Sequence, residues 1–233
     1  MWAPIVSQTS ITKLQSVQNA ALRACTGHTK DTNQRHYHEE TKILPIQAYM
    51  QMTTSIFREG TRDPSHPLHS ALHDPEPDRR MKRTAFDTSY VTMVHGCDRE
   101  GMEAKEREIN KKTIHTAAVT NYLAAREAPP LLQRVPPEVH HSEVQLPREK
   151  RRQLAQLRAG KCPLLQGYLH HIGKAESPNC KLCTQVAHDT AHMFRCPNIP
   201  TRLTPEDLWR EPIRAAQLVS QWEAALAALE EEE

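Results

Sequence analysis

Three cysteines and one histidine lie within seventeen residues, and their spacing limits how this part of the chain can fold. They are Cys180, Cys183, His192 and Cys196. Both thiolates of a Cys-x-x-Cys turn can face one ion, and residues at i and i+4 project from the same face of a helix. Four protein ligands at such spacing are typical of a tetrahedral zinc site that has no position left for a reactive water. The sequence therefore predicts a structural Zn²⁺ site.

The histidine ligand has an alternative. Cys180, Cys183 and His188 match the first three ligands of a C-x2-C-x4-H knuckle, but seven residues then separate His188 from Cys196, more than such a knuckle has. We prefer His192, because it stands one helical turn before Cys196. The cysteines can also be buried without any metal, which is the simpler alternative.

Composition and periodicity together predict a mainly α fold of small helical units joined by irregular linkers. The apolar fraction is 38%, or about 41% with the seven glycines added, against about 45–50% in an average domain. Seventeen prolines and only three phenylalanines also disfavour a single thick core. No segment has a convincing strand pattern.

Periodic apolar positions, caps and prolines predict the order of the elements. Helices are predicted over 10–26, 45–60, 103–126, 148–159 and 163–172, with further helix starts at Thr204 and Pro212. The predicted organisation is a helical hairpin over 1–60, a mobile linker over 61–102, a long helix over 103–126, a proline-rich connector over 127–146, a zinc-binding helical module over 147–228 and an acidic tail over 229–233. The polar residues over 28–42 are predicted to connect the two helices of the hairpin.

Charge is balanced overall, so binding to a polyanion has to depend on local clusters. The formal net charge is +2, too small for the chain as a whole to be basic. One cluster belongs to the predicted helix over 148–159 and its end. Its members are Arg148, Lys150, Arg151, Arg152, Arg158 and Lys161. Several of them can line one face and meet phosphates, although the solvated face of an ordinary surface helix looks the same. A second run, at 79–83, is best explained as a solubilising segment.

Several classes of function are disfavoured by the sequence. The six cysteines do not form a disulfide framework, and no apolar run is long enough to span a membrane. We therefore expect an intracellular protein, nuclear or cytoplasmic, without a membrane partner. No nucleophile elbow, phosphate-binding loop or H-E-x-x-H motif occurs. Catalysis and a small-molecule substrate are accordingly not expected.

Motifs in the first part of the chain resemble a known family. They comprise Trp2 and Pro4, the series Ser10, Ile11, Leu14, Gln15, Gln18 to Arg23, Thr26 and Gly27, then His38-Glu39-Glu40-Thr41 and Leu44-Pro45-Ile46. They resemble the thumb that follows the palm in reverse transcriptases of non-LTR (LINE-type, jockey-like) retrotransposons. The segments at 136–138, 146–148 and 154–160 resemble that family's post-thumb connector. The resemblance implies a thumb-like part over 1–60 that the helix over 103–126 completes.

Motifs in the last part resemble the zinc-binding end of the same proteins. They are Cys180-x-x-Cys183, His188-Asp189-Thr190-x-His192-x-Phe194-x-Cys196-Pro197, Pro200-Thr201 and Asp207-Leu208-Trp209. In the family this end is associated with holding element RNA or target DNA, so the resemblance implies RNA and/or DNA as partners. It also implies a C-terminal fragment without the endonuclease or the palm. The full-length family protein would be an RNA-directed DNA polymerase, whereas this chain is not expected to be an enzyme.

Two alternative functions belong to other classes. In the first, the metal only holds helices together and the helix bearing Trp222 docks a protein partner. In the second, the chain is a decayed retroelement reading frame without a selected function. Nucleic-acid binding remains the preferred hypothesis, because the order of the motifs is more specific than any one of them.

Overall fold

The computed structural model describes residues 7–61, 63–69, 113, 116–118, 131–132 and 136–231. The described part is built from helices and turns, and its only β pairing is an isolated bridge between Asn179 and Ala187. The prediction of a mainly α fold is therefore confirmed. Most of the linker over 61–102, including the basic run at 79–83, and most of the long helix over 103–126 lie outside the described residues.

The described helices include most of the predicted ones in the predicted order, although the helix expected to start at Thr204 begins at Asp207. They are α1 (Gln8–Thr26), α2 (Gln34–Thr41), α3 (Ile46–Gly60), a 3-10 helix η1 (His141–Gln145), α4 (Arg148–Arg158), α5 (Gln166–His171), α6 (Thr190–Met193), α7 (Asp207–Arg210) and α8 (Pro212–Glu231). None of the described helices is long and apolar enough to cross a membrane. Gly27 follows α1 with φ of 78°, the left-handed conformation that ends many helices and favours glycine.

Helix α2 was not predicted. Its eight residues are mostly charged or polar, so they have no apolar stripe to reveal a helical period. Its buried side chains are Tyr37 and His38, each 1% exposed. The polar connection expected over 28–42 thus contains a helix that packs through an aromatic and an imidazole side chain.

The chain divides into two compact units. The first comprises Met1–Gln18 and Lys42–Arg126, and the second comprises Asn19–Thr41 and Glu127–Glu233. In the first unit, Leu44, Met52 and Ala118 form a small buried cluster. Two glutamines of α1 help to fix the start of α3: the Gln15 side chain accepts from the Ile46 amide at 2.8 Å, and Gln18 donates to the Leu44 carbonyl at 3.0 Å.

The second unit has the larger core. Its buried apolar residues include Leu154 and Leu157 of α4, Leu208 and Trp209 of α7, and Ala215, Leu218, Val219 and Trp222 of α8. Trp222 is completely buried, and its indole N–H donates to the Met193 carbonyl at 3.3 Å. Thr190 at the start of α6 donates to the Leu157 carbonyl at 2.9 Å. Helices α4 and α8 thus hold the segment that contains the cysteines.

The segment 19–41 belongs to this second unit, which the sequence did not indicate. Its links to the rest of the unit are polar. Gln156 donates to the Gly27 carbonyl at 2.8 Å, and the Tyr168 hydroxyl donates to Asp31 at 3.0 Å. Such contacts leave no periodic apolar pattern in the sequence. The prediction of a hairpin over 1–60 therefore gave no sign that the segment 19–41 packs with residues more than a hundred positions away.

Candidate metal centre and basic cleft

Cys180 and Cys183 lie on a tight turn that is closed by backbone hydrogen bonds. The Thr184 amide donates to the Cys180 carbonyl at 2.8 Å, and the Cys180 amide donates to the Val186 carbonyl at 2.9 Å. Thr184 itself has φ of 58°, the left-handed conformation that lets the chain reverse direction here. The structure therefore shows the chain reversal that we predicted for the Cys-x-x-Cys segment.

Backbone amides favour the ionised form of both thiols of this turn. The Gln185 amide is the main reason why the pKa of Cys183 is lowered. The amides of Cys183 and Leu182 act in the same direction on Cys180, although burial still raises its pKa to about 11. Amides directed at sulfur stabilise a thiolate, which is the form that binds a metal ion.

The other half of the cluster is set by the short helix α6. Asp189 caps it, and its carboxylate accepts from the His192 amide at 2.7 Å. The helix ends at Met193, so Cys196 does not lie on it, in contrast to the i and i+4 pair that we predicted on one helix. Instead, the turn after α6, in which the Arg195 amide donates to the His192 carbonyl at 2.9 Å, returns Cys196 to the cluster.

The four side chains converge on one point. One ligand atom from each of Cys180, Cys183, His192 and Cys196 lies within 4.8 Å of every other. The Sγ of Cys183 is 3.4 Å from the Nε2 of His192. Tetrahedral bonds of about 2.3 Å to sulfur and about 2.0 Å to nitrogen put these two atoms about 3.5 Å apart. The cluster can therefore hold a metal ion, with protein atoms filling all four positions.

His188, the alternative ligand, is not part of this cluster. It is 1% exposed and its ring stacks on Trp222, with 4.5 Å between ring centroids. Its Nδ1 accepts from the Gln166 amide at 3.3 Å, and burial is the main cause that lowers its pKa to about 4. A neutral imidazole in this position packs the core beside the cluster, and the structure brings His192 to the cysteines instead.

Arg158 requires a correction among the predicted phosphate contacts, because it is internal. It is 4% exposed, and its guanidinium donates to Glu143, to Glu40 at 2.8 Å and to the Leu208 carbonyl at 2.6 and 3.1 Å. It also lies over the Trp209 ring, 5.7 Å from the centroid. Every donor direction is used inside the unit, so Arg158 is not free to contact a phosphate.

The two lysines of the predicted set have carboxylate partners. The Nζ of Lys150 lies 2.5 Å from the Oε2 of Glu223, and the other carboxylate oxygen of Glu223 accepts from the Gln153 side chain. Lys161 lies 3.5 Å from Asp31. Both lysines are partly buried, with 24% and 27% of their side chains exposed. They contribute less free positive charge than the sequence suggested.

Arg148, Arg151 and Arg152 are exposed and border a cleft. Their spacing of i, i+3 and i+4 puts them on one side of α4. The cleft has a volume of about 850 Å³ and is lined by Arg23, Ala24, Cys25, Thr26, Gly27, Glu40, Glu143, Arg148, Glu149, Arg151, Arg152 and Gln156. Its other wall is the end of α1. The structure thus gathers three predicted residues with Arg23, which the sequence analysis did not select.

A buried ionic cluster beside this cleft was also missed. Arg158 joins Glu40 of α2 to Glu143 of η1. Burial raises the pKa of Glu40 to about 7, although Arg158 opposes that shift. His28 lies 3.7 Å from Glu40, but burial lowers the pKa of His28 to about 4, so this contact is not an ion pair at neutral pH. The partners are too far apart in sequence for any local pattern to connect them.

Comparison with protein-family models, curated proteins and solved structures finds no match to this chain. Function therefore has to be argued from the residues themselves. Within the described part, the cysteine–histidine cluster and the arginine-bordered cleft are the two features whose chemistry suggests a ligand.

Proposed function

We propose that the chain is a nucleic-acid-binding protein, with RNA and/or DNA as its partner. In this proposal Arg148, Arg151 and Arg152 contact phosphates, and a structural zinc ion holds the unit that presents them. The observation that supports it best is the exposure of these three arginines on one side of α4. Guanidinium groups form bidentate hydrogen bonds to phosphate oxygens, and such contacts position a nucleic acid without reading its sequence.

The donor set supports zinc as the metal in this proposal. Three cysteines and one histidine whose ligand atoms lie within 4.8 Å of one another favour zinc over harder ions, which prefer oxygen ligands. Because all four positions are protein atoms, the ion has no place for substrate or for an activated water. Its role is to fix the turn at Cys180 and helix α6 against α4 and α8, rather than to catalyse a reaction.

The motif order quoted above supports a further part of the proposal, namely that the chain is the C-terminal region of a non-LTR retrotransposon reverse transcriptase. The palm aspartates that hold the catalytic magnesium ions in that family have no counterpart in the motifs found here. We therefore expect no polymerase activity from this chain alone, and we expect it to act inside the cell, in the nucleus or the cytoplasm.

The alternative that α8, the helix bearing Trp222, docks a protein partner has less support. Trp222 is 0% exposed, and Val219 and Leu218 on the same helix are also buried. The apolar face of α8 is thus covered by its own unit. Docking through this face would require the core of the second unit to open.

Binding measured as a function of salt tests the proposed function. The zinc-loaded chain would be titrated by fluorescence anisotropy against a structured RNA, a DNA duplex and an unpaired DNA strand. Three phosphate contacts predict a slope of log affinity against log salt of about −2.7 for a duplex and about −2 for a single strand. If the chain binds none of the three ligands at low salt, the proposal is wrong.

A further inference from the structure

The cleft beside α4 has positive side chains on both of its walls. Arg23 comes from the last part of α1, and Arg148, Arg151 and Arg152 come from α4. A phosphate between the walls can be contacted from two directions, which a flat basic surface does not allow. Such a groove is how many proteins follow the backbone of an unpaired strand.

The carboxylates that line the cleft do not cancel this charge. Glu143 and Glu40 are both bound by Arg158, which offsets one of their two negative charges. Burial raises the pKa of Glu40 to about 7, so near neutral pH this group has only part of its charge. Glu149 on α4 is the remaining acid of the lining, and four arginines outnumber it.

The arginines that face the cleft differ from the lysines of the same helix region. Lys150 and Lys161 are paired with carboxylates. Arg151 and Arg152 have no hydrogen-bond or ion-pair partner among the residues that the structure describes. The stem of Arg152 also lies against Gly27, where an added Cβ would come within 2.2 Å of its Cγ. This contact holds one of the free guanidinium groups at the edge of the cleft.

Size and lining argue for a particular form of nucleic acid. A volume of about 850 Å³ falls within the range of about 300–1,000 Å³ that pockets for small ligands have. It can admit part of one strand but not a duplex. The described residues that line it include no aromatic side chain on which a base could stack, so recognition has to depend on phosphates.

We propose that this cleft binds the phosphate groups of a single unpaired nucleic-acid strand, through Arg23, Arg148, Arg151 and Arg152. The inference rests on the proposed function and narrows the partner from nucleic acid in general to unpaired RNA or DNA. The contacts are to the backbone, so affinity depends on salt and only weakly on base sequence.

The test compares the zinc-loaded chain with a double variant, Arg151→Gln with Arg152→Gln. The probes are a short oligothymidylate and a DNA duplex of equal length. We expect the chain to prefer the oligothymidylate and the double variant to bind it at least about tenfold more weakly. The salt slope should fall by about 1.4, or about 0.7 for each lost contact. Zinc content and circular dichroism would show that the variant is folded.

Two further variants keep the result interpretable. Arg202→Gln removes one exposed positive charge of the same unit that does not line the cleft, and it should change the affinity less than twofold, as expected for a charge that salt screens from the bound strand. Glu149→Gln removes a negative charge from the lining, and it should tighten binding by about two- to fivefold. A gain in affinity cannot result from a variant that fails to fold.

The outcomes separate this inference from the proposed function. If the chain binds nucleic acid but the double variant binds as tightly as the parent, the cleft is not the site, while nucleic-acid binding stands. If Arg202→Gln weakens binding as much as the double variant does, or if the duplex is preferred, the inference is likewise overturned. If the chain binds neither probe at low salt, the inference fails, and if it also fails to bind the structured RNA, the proposed function fails with it.

Discussion

The second unit contains two polar clusters that are held together in opposite ways. Around Cys180, Cys183, His192 and Cys196, four ligand atoms approach within 4.8 Å of one another, an arrangement that can hold a metal ion. Around Arg158, one guanidinium is bound by Glu40, Glu143 and the Leu208 carbonyl. In the proposed function the first cluster takes up an ion from solution, whereas the second contains its own counter-charges. Their stabilities should therefore respond to different conditions.

Loss of the metal ion is the largest effect that we expect. Binding of a structural zinc ion contributes about 10–16 kcal/mol in small zinc domains, and that free energy is available for folding. Chelation or Cys183→Ser should therefore unfold much of the second unit. The measurement is helical circular dichroism on addition of a chelator, followed by re-addition of zinc. Cys25→Ser, which changes an exposed cysteine outside the cluster, is the control and should have no such effect.

Arg158→Met disrupts the ionic cluster around Arg158, as chelation disrupts the cysteine–histidine cluster. It leaves Glu143 buried without its charge partner and removes both donors to the Leu208 carbonyl. Breaking a buried pair in this way costs about 3–5 kcal/mol, which urea unfolding of the zinc-loaded protein would measure. This loss should not be reversed by extra zinc, in contrast to the effect of chelation.

Lys150→Met is the matched control for Arg158→Met. It breaks the partly exposed pair with Glu223, and such pairs contribute about 0–1 kcal/mol. Equal losses of stability in the two variants would mean that the buried Arg158 cluster contributes no more than a partly exposed ion pair.

A smaller effect concerns pH. The folded protein raises the pKa of Glu40 from 4.5 to about 7, so between these values the folded state binds this proton more tightly than the unfolded state does. The contribution of Glu40 to the free energy of unfolding is thus fully present below about pH 4.5 and is lost as the pH rises to 7. The pKa shift corresponds to at most about 3 kcal/mol.

Neighbouring groups make a comparison of variants necessary. The lowered pKa of His28 acts with the opposite sign, since neutral His28 favours the folded state as the pH rises. Urea unfolding of the parent and of Glu40→Gln across this pH range isolates the glutamate. The parent should lose more stability than the variant as the pH rises from 5 to 7. Parallel curves would show that Glu40 titrates normally.

The features that could be predicted from the sequence are those whose residues lie close together along the chain. The metal cluster falls within seventeen residues, so ligand spacing was enough to predict it, and α4 and α8 begin at the predicted Arg148 and Pro212. Helix α2 was missed because it lacks an apolar stripe. The burial of Arg158 was missed because Glu40 lies 118 residues away, and a charge on a helix looks the same whether its partner is solvent or a distant carboxylate.

The central claim is that a metal ion bound by three cysteines and His192 organises the second unit. Titration of the metal-free chain with cobalt(II), followed by visible absorption, tests it most directly, because tetrahedral cobalt with thiolate ligands absorbs strongly. The account expects one cobalt ion per chain with a tetrahedral spectrum. That spectrum should be lost or altered in His192→Ala and retained in His188→Ala. A chain that binds no cobalt, or a spectrum that depends on His188 and not on His192, would contradict the account.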